Sequence, residues 1–254
     1  MLLAVDVGNT QTHIGMFRGD QLVEHWRFAT VRESTADELA TVLVGLLQLR
    51  GLGLSDVDAA IVSSVVPQLV HEYDSVSERY LGGTLQVVGP GLKSGIPIRT
   101  ENPHEVGSDR LVNALAAFDR VGSACIVVDF GTAITYDVVS ADGELLGTLI
   151  SPGIEISMEA LSERAARLPK VELEAPRELI GRSTLTSIQA GVVYGFAGQV
   201  DGIVGRLREE LGVEARAIAT GGLATSIAPF CHELDEVDEM LTLTGLRLLW
   251  ERNR

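Results

Sequence analysis

The chain has 254 residues, of which 46% are hydrophobic and 22% charged, a composition typical of a globular protein with a packed core and room for two domains. Its formal net charge of −15 repels nucleic-acid backbones and anionic membranes, and its aromatic content of 5% is too low for base-stacking platforms. We therefore expect neither a nucleic-acid partner nor a membrane partner.

The first predicted elements are three strands at residues 2–7, 13–18 and 21–29, which form an antiparallel meander. The first strand ends in Asp6, and Gly8, Asn9 and Thr10 follow as a turn. A glycine turn lets backbone N–H groups approach an anion, and the hydroxyls of Thr10 and Thr12 can donate to phosphate oxygens. Asp6 repels phosphate but can hold Mg²⁺ through water. A plain hairpin with an aspartate at its turn is the alternative.

Helices and strands then alternate. Apolar periodicity and capping residues predict helices over 35–50 and 67–81, and buried runs predict strands over 57–63 and 85–88. This order is that of a ribonuclease-H-like domain. Residues 89–101 hold three glycines and two prolines, with Lys93 and Arg99 as cations, and are expected to form either an anion-facing lid or a solvated loop.

A segment with acid–base chemistry begins at Asn102, which with Pro103 is typical of a helix cap and first helical residue. Gly107 and Ser108 loosen the turn before the apolar helix that follows. Asp109 then lies at a helix start, where its carboxylate can accept a proton, and the neighbouring Arg110 can pair with a substrate carboxylate. An acid favoured by the helix dipole, followed by a surface arginine, is the alternative.

The second half repeats the first. Residues 124–136 (ACIVVDFGTAITY) contain a buried run, an aspartate, a glycine and a return strand, so that Asp129 matches Asp6 and Gly131 matches Gly8. Strands are predicted at 124–129, 133–139 and 144–150, helices at 155–167 and 185–211, a strand at 215–219 and a helix at 240–250. The duplication predicts an α/β protein of two ribonuclease-H-like domains, 1–117 and 118–254, with mixed sheets flanked by helices and the active site in the cleft between them.

Two further features of this half leave alternatives open. Gly191, Gly195, Gly198 and Gly202 lie at intervals of three and four residues along the long helix, which suits a dimer face or a tight contact within the chain. Thr220–Gly222 is expected to lie against adenosine or to form a plain loop.

The two cysteines, Cys125 and Cys231, are interpreted as inert, because no ligand set accompanies them. No leader or membrane span is recognisable, so we expect a reduced, cytoplasmic setting.

Seven segments together resemble the type III pantothenate kinases, in the superfamily of sugar kinases, actin and heat-shock chaperones. These segments are DVGNT at 6–10, ENPHEVGSDR at 101–110, DFGTA at 129–133, SPGI at 151–154, STLTSIQAG at 183–191, TGG at 220–222 and LTLTGL at 241–246. They follow one another over nearly the whole chain. The resemblance implies ATP-dependent phosphorylation of pantothenate to 4'-phosphopantothenate, the first step of coenzyme A synthesis.

The resemblance also implies roles for particular residues. Asp109 is implied as the proton acceptor and Asp129 as the ligand of a monovalent cation, K⁺ or NH₄⁺, beside MgATP. The implied ATP-binding residues are Asp6, Val7, Gly8, Asn9, Thr10, Gln11, Thr12, His13 and Thr132, and the implied pantothenate-binding residues are Gly107, Ser108, Asp109, Arg110 and Thr184. A cytoplasmic homodimer is expected. One departure is Thr100, where some relatives have a tyrosine, so an aromatic substrate contact is absent or supplied elsewhere.

Two rival functions remain. A kinase of the same superfamily could act on another small alcohol, and a non-catalytic relative could bind nucleotide and regulate a partner. The presence of Asp6, Asp109 and Asp129 together argues against the second, because a binding module needs no base at an acceptor site.

Overall fold

The computed structural model describes residues 1–89, 91–165 and 168–254. Its contacts divide the chain into two units. Unit 1 comprises Met1–Gly95, His104–Ala116 and Thr242–Arg254, and unit 2 comprises Ile96–Pro103 and Ala117–Leu241. The division at residue 117 drawn from the sequence stays a prediction.

The elements of the first half alternate as the hydrophobic pattern predicts. In chain order they are β1 (Leu2–Val7), β2 (Gln11–Arg18), β3 (Gln21–Ala29), α1 (Ala36–Gln48), β4 (Ala59–Ser64), α2 (Pro67–Tyr80), β5 (Thr84–Val87) and α3 (Ser108–Val121). Short 3₁₀ turns at Leu54–Asp56 and Pro103–Glu105 complete this half.

The elements of the second half follow the same order, except that two helices instead of one precede the fourth strand. They are β6 (Cys125–Phe130), β7 (Ala133–Val139), β8 (Leu145–Pro152), α4 (Ile154–Arg164), α5 (Thr184–Leu211), β9 (Arg216–Thr220), α6 (Ala224–Ile227), β10 (Glu236–Val237) and α7 (Leu241–Asn253). A 3₁₀ turn at Ala228–Phe230 follows α6.

Two five-stranded sheets with the same topology occur in the described part of the chain. Their orders are β3-β2-β1-β4-β5 and β8-β7-β6-β9-β10. In each, the central strand (β1 or β6) is antiparallel to the strand that follows it and parallel to its other neighbour. The predicted fold class, duplicated ribonuclease-H-like domains with mixed sheets flanked by helices, is confirmed in these features.

The first sheet buries its two faces differently. Leu3, Val5 and Val7 point to one face, where they share a core with the apolar side chains of α1 and α2, such as Leu43 and Leu69. Residues of the opposite face lie against α7, since a Cβ on Gly15 would be 2.9 Å from the Cδ1 atom of Leu243. Asp6 belongs to this second face, because side chains alternate along a strand.

Helix α3 is held by α7 on this second face. The backbone of α7 at Gly245 approaches so closely that a Cβ there would lie 2.0 Å from the Val112 carbonyl oxygen. The Thr242 hydroxyl donates a 2.7 Å hydrogen bond to Oδ1 of the buried Asn113. These contacts fix the first turn of α3, and hence Asp109, relative to the sheet.

Several predicted boundaries differ from the observed ones. Pro103 is not the first residue of α3 but opens a 3₁₀ turn, and the helix begins at Ser108. Helix α4 ends at Arg164 instead of residue 167, and residues 166–167 lie outside the described part of the chain. The two-residue strand β10 has no sequence signal, because it is too short to show alternation. No helix among the described residues has the length and apolarity that crossing a bilayer requires.

Candidate functional site

The predicted phosphate loop is a tight turn at the end of β1. The Gly8 N–H donates to the Gln11 carbonyl at 3.0 Å, while Asn9, Thr10 and Gln11 are exposed and Asp6 is half-buried. The remaining members of the predicted set are built into the sheet: Val7, Thr12 and His13 are buried. Thr12 Oγ1 shares a 2.9 Å hydrogen bond with Thr30 Oγ1. The exposed turn, with Asp6, is therefore the part able to meet a ligand.

His13 is held in a pair with a second histidine. Its Nε2 lies 3.2 Å from Nδ1 of His25, and the two rings meet edge to face with centroids 5.4 Å apart. Burial, aided by the nearby charge of Arg27 and by His25, lowers the pKa of His13 from 6.5 to about 3. His13 is thus a neutral ring at pH 7, which cannot supply positive charge to a phosphate.

Asp6 is next to the end of a second strand, β4. The parallel register pairs Asp6 with Ser63, and directly paired residues project to the same face. Ser63 is fully buried, and its Oγ lies 2.9 Å from Oγ of Ser108, the first residue of α3. This hydrogen bond connects the end of β4, beside Asp6, to the start of α3, which carries Asp109.

Residues 105–110, which include the first residues of α3 and which we call the Asp109 loop, surround the Asp109 carboxylate. The Arg110 N–H donates to Asp109 Oδ1 at 2.9 Å, and the Arg110 guanidinium donates to the Glu105 carbonyl at 3.0 Å. A Cβ on Gly107 would lie only 2.3 Å from Asp109 Oδ1, so any larger residue there would displace the carboxylate. The structure therefore brings Asp6, Gly107, Ser108, Asp109 and Arg110 to one edge of unit 1.

The equivalent turn in unit 2 surrounds Asp129. Like Asp6, Asp129 is the half-buried fifth residue of a six-residue strand, and the Gly131 N–H closes the turn onto the Ala133 carbonyl at 3.1 Å. Thr132 is exposed on this turn. Gly221, at the end of β9, has a φ of +93°, and a Cβ there would lie 2.4 Å from Asp129 Oδ1. Gly221, the first glycine after β9, thus packs against the Asp129 turn.

Thr184 lies in unit 2, at the exposed first residue of α5. Ser183 caps this helix by accepting from the Thr186 N–H at 3.2 Å. A cavity of about 1020 Å³ opens beside it, between α4, α5 and the preceding loop, lined by Thr184, Ser187, Leu161, Ile188 and Phe196 among others. Thr184 is therefore available to a ligand.

The loop at 89–101 offers less positive charge than its composition suggests. The Arg99 guanidinium forms an ion pair with Glu144, which raises the pKa of Arg99, and residues 97–99 run beside Leu145 of β8. A carboxylate thus already pairs with Arg99, and the choice between an anion-facing lid and a solvated loop for residues 89–101 stays a prediction. Thr100 follows, with its Oγ1 buried and without a hydrogen-bond partner among the described residues. Pro90 lies outside the described residues.

The described residues contain no group of three or more histidine, cysteine or acidic side chains that could enclose a metal ion. Mg²⁺ in kinase sites is commonly held by one or two carboxylates, water and substrate phosphates, so a single half-buried Asp6 fits that mode. A monovalent cation at Asp129 would similarly take most of its oxygens from backbone carbonyls, water or phosphate, and the close approach of the Gly221 backbone suits that arrangement.

Two residues of this region were not singled out from the sequence. Ser63 ends a buried strand with a hydroxyl, as Asp6 ends β1 with a carboxylate, and this polar strand end was the available signal. Arg27 lies near the end of β3, and no motif marks it.

The two sheets of one topology, each with an aspartate turn after its central strand, form a fold shared with solved structures of sugar kinases. The chain resembles the inorganic polyphosphate/ATP-glucomannokinase of Arthrobacter sp. strain KM, with a TM-score of 0.51, 16% identity and coverage of 97% of this chain and 96% of that one. At this identity the likeness concerns the fold alone.

Sequence comparison defines the family. The model of the type III pantothenate kinases matches residues 2–206. The chain is 50% identical over 253 residues to a type III pantothenate kinase of Moorella thermoacetica, covering 100% of both chains. It is 52% identical over 254 residues to one of Anaeromyxobacter sp. (strain Fw109-5), again covering 100% of both. The chain belongs to the type III pantothenate kinase family.

Proposed function

We propose that this protein transfers the terminal phosphoryl group of MgATP to the primary hydroxyl of pantothenate, giving 4'-phosphopantothenate in the first step of coenzyme A synthesis. The observation that carries the proposal is the Ser63–Ser108 hydrogen bond of 2.9 Å, which joins the Asp6 turn to the Asp109 loop. Phosphoryl transfer to an alcohol requires a turn that binds the phosphates and a proton acceptor close to it. Family membership supports the choice of pantothenate.

Each residue of the loop has a role in this proposal. Asp109 accepts the proton of the attacking hydroxyl, and the bond from the Arg110 N–H fixes the orientation of its carboxylate. Gly107 leaves room for that carboxylate. Arg110 and Thr184 bind the acceptor, the guanidinium through its remaining N–H groups and Thr184 through its hydroxyl.

The nucleotide is assigned to the two aspartate turns. N–H groups and hydroxyls of Asn9, Thr10 and Thr132 donate to phosphate oxygens, and Asp6 holds Mg²⁺ through water. Mg²⁺ supplies charge neutralisation at the phosphates, and a K⁺ or NH₄⁺ ion at Asp129 adds to it. The reaction takes place in the cytoplasm, where ATP is available.

The proposal includes a homodimer formed through unit 2. Three large apolar side chains of unit 2 are exposed: Ile180 is 78% exposed, Ile150 65% and Leu179 63%. Leu179 and Ile180 directly precede Gly181, which lines the cavity beside α5. Apolar patches of this kind in a soluble enzyme mark protein contacts. Light scattering on the purified protein should give twice the chain mass, and Ile180→Glu combined with Leu179→Glu should reduce it. A monomeric mass for the unchanged protein would contradict this part.

The test of the activity measures ATP consumption with and without pantothenate, in potassium and in sodium buffer. Turnover is expected only with pantothenate, and faster in potassium. Pantothenate-dependent turnover that is equal in both buffers would keep the kinase and remove the cation. No dependence on pantothenate would refute the proposed acceptor and favour another alcohol or a regulatory nucleotide-binding role. Asp109→Asn should retain ATP binding but lose most turnover.

A further inference from the structure

A row of polar side chains crosses the first sheet at the level of Asp6. The strand register pairs Ser63 with Asp6, Asp6 with His13, and His13 with Arg27. Directly paired residues project to the same face, so the four side chains form one line across β4, β1, β2 and β3. The neighbouring row, including Val5, Ile14 and Trp26, faces the core with α1 and α2.

Arg27 is the cation of this row, and it lacks a protein acceptor. It is half-buried, yet among the described residues it makes no hydrogen bond or ion pair. Other described arginines without such a bond, Arg164, Arg177 and Arg254, are exposed to water. A partly desolvated guanidinium normally has an anionic or carbonyl partner. The chain has 35 acidic and 20 basic residues, so carboxylates are plentiful. The absence of an acidic partner for Arg27 among the described residues is therefore a property of this site.

The position of Arg27 points to the ligand. Strands β1 and β3 are both antiparallel to β2 and therefore run in the same direction. Asp6 and Arg27 lie near the same ends of these strands, next to the exposed turn at Asn9 and Thr10. Two strand spacings separate the backbones of Asp6 and Arg27, about 10 Å, and a long arginine side chain spans much of that gap. Among the described residues, the side chain of the intervening His13 meets His25 and not Arg27, so it does not satisfy the guanidinium.

We propose that Arg27 binds the phosphate chain of the nucleotide at the Asp6 turn. The assignment rests on the proposed function for the presence of a nucleotide, but not on the identity of the acceptor. A guanidinium presents planar N–H donors that match two phosphate oxygens at once, and it stays charged at every physiological pH. Arg27 thereby supplies the positive charge that His13, as a neutral ring, cannot.

The test compares Arg27→Gln and Arg27→Lys with the unchanged protein. Calorimetric titration with MgATP, and separately with adenosine, needs no acceptor and therefore remains informative even if pantothenate is not the substrate. Arg27→Gln should weaken MgATP binding by about tenfold or more, the usual effect of losing a charged hydrogen bond, and leave adenosine binding unchanged. Arg27→Lys keeps the positive charge but loses the planar guanidinium. Its affinity for MgATP should lie between those of Arg27→Gln and the unchanged protein.

Arg18→Gln is the matched control. Arg18 is the exposed last residue of β2, and its replacement changes the net charge by the same amount as Arg27→Gln. It should leave both affinities unchanged. Because Arg27 holds no protein partner, Arg27→Gln should melt at the same temperature as the unchanged protein or higher. Unchanged MgATP affinity would overturn the proposal. An equal loss of MgATP and adenosine binding would also overturn it, because that result would mean a damaged fold. A selective loss of pantothenate binding would overturn it as well, because Arg27 would then contact the acceptor instead of the nucleotide.

Discussion

Replacing Gly107 by alanine tests whether the position of the Asp109 carboxylate controls turnover. The backbone of Gly107 is not in the left-handed region, so the effect comes from the added methyl group alone. That Cβ would lie 2.3 Å from Asp109 Oδ1 and 3.4 Å from Arg110 Nε. Oδ1 must move by about 1 Å to reach an ordinary contact, and a misplacement of this size costs on the order of 10²-fold in rate. Such a loss corresponds to about 2.7 kcal/mol of transition-state stabilisation.

The assay is the steady-state rate of pantothenate-dependent ATP consumption, with the melting temperature measured in parallel. We expect kcat to fall by about two orders of magnitude, while the fold survives because Asp109 is half-buried at the edge of its unit. Gly45→Ala is the control: Gly45 is exposed within α1, and an added Cβ meets no atom within 4 Å. It should leave kcat unchanged and stabilise the protein by up to about 1 kcal/mol.

Full kcat in Gly107→Ala would refute the reasoning, because it would mean that the observed carboxylate position does not matter for proton transfer. A large fall in melting temperature with no active fraction would instead identify Gly107 as structural. Gly107→Ala and Asp109→Asn combined should cost little more than Asp109→Asn alone, since both changes act on one carboxylate.

Two further outcomes follow from local structure. Because burial lowers the pKa of His13 from 6.5 to about 3, the unfolded chain binds a proton that the folded chain does not, and stability falls as pH drops below 6.5. Urea titrations at pH 7 and 5 should differ by about 2 kcal/mol from this residue, a difference that His13→Gln should remove; an identical pH dependence in the variant would contradict the assignment. Thr35 begins α1 with a capping box, in which Glu38 Oε2 accepts from the Thr35 N–H at 2.8 Å. Thr35→Ala should lower the free energy of unfolding by about 1 kcal/mol, measured by urea titration, with kcat unchanged; no change in stability would show that the box contributes nothing.

The local sequence determined most of the element order. Alternation and apolar periodicity depend only on neighbours along the chain, and they predicted the strands around Asp6 and Asp129 as well as the helices that follow. The repeated strand, aspartate and glycine turn indicated duplication, and the two sheets share one topology. Proline at residue 103 misled the prediction of a helix start, because a proline suits the first turn of a 3₁₀ segment as well as that of an α-helix.

The tertiary structure decided which of the candidate residues meet. Ser63 and Ser108 are 45 residues apart, and only the parallel pairing of β1 with β4, together with the packing of α3 against α7, brings them within 2.9 Å. The antiparallel pairing of β1, β2 and β3 aligns Arg27 with His13 and Asp6. Residues 97–99, which run beside β8, give Arg99 its carboxylate partner, Glu144. Strand register and helix packing are non-local, since they depend on which surfaces bury each other. The types of chemical group at the site could therefore be read from the sequence, while their partners could not.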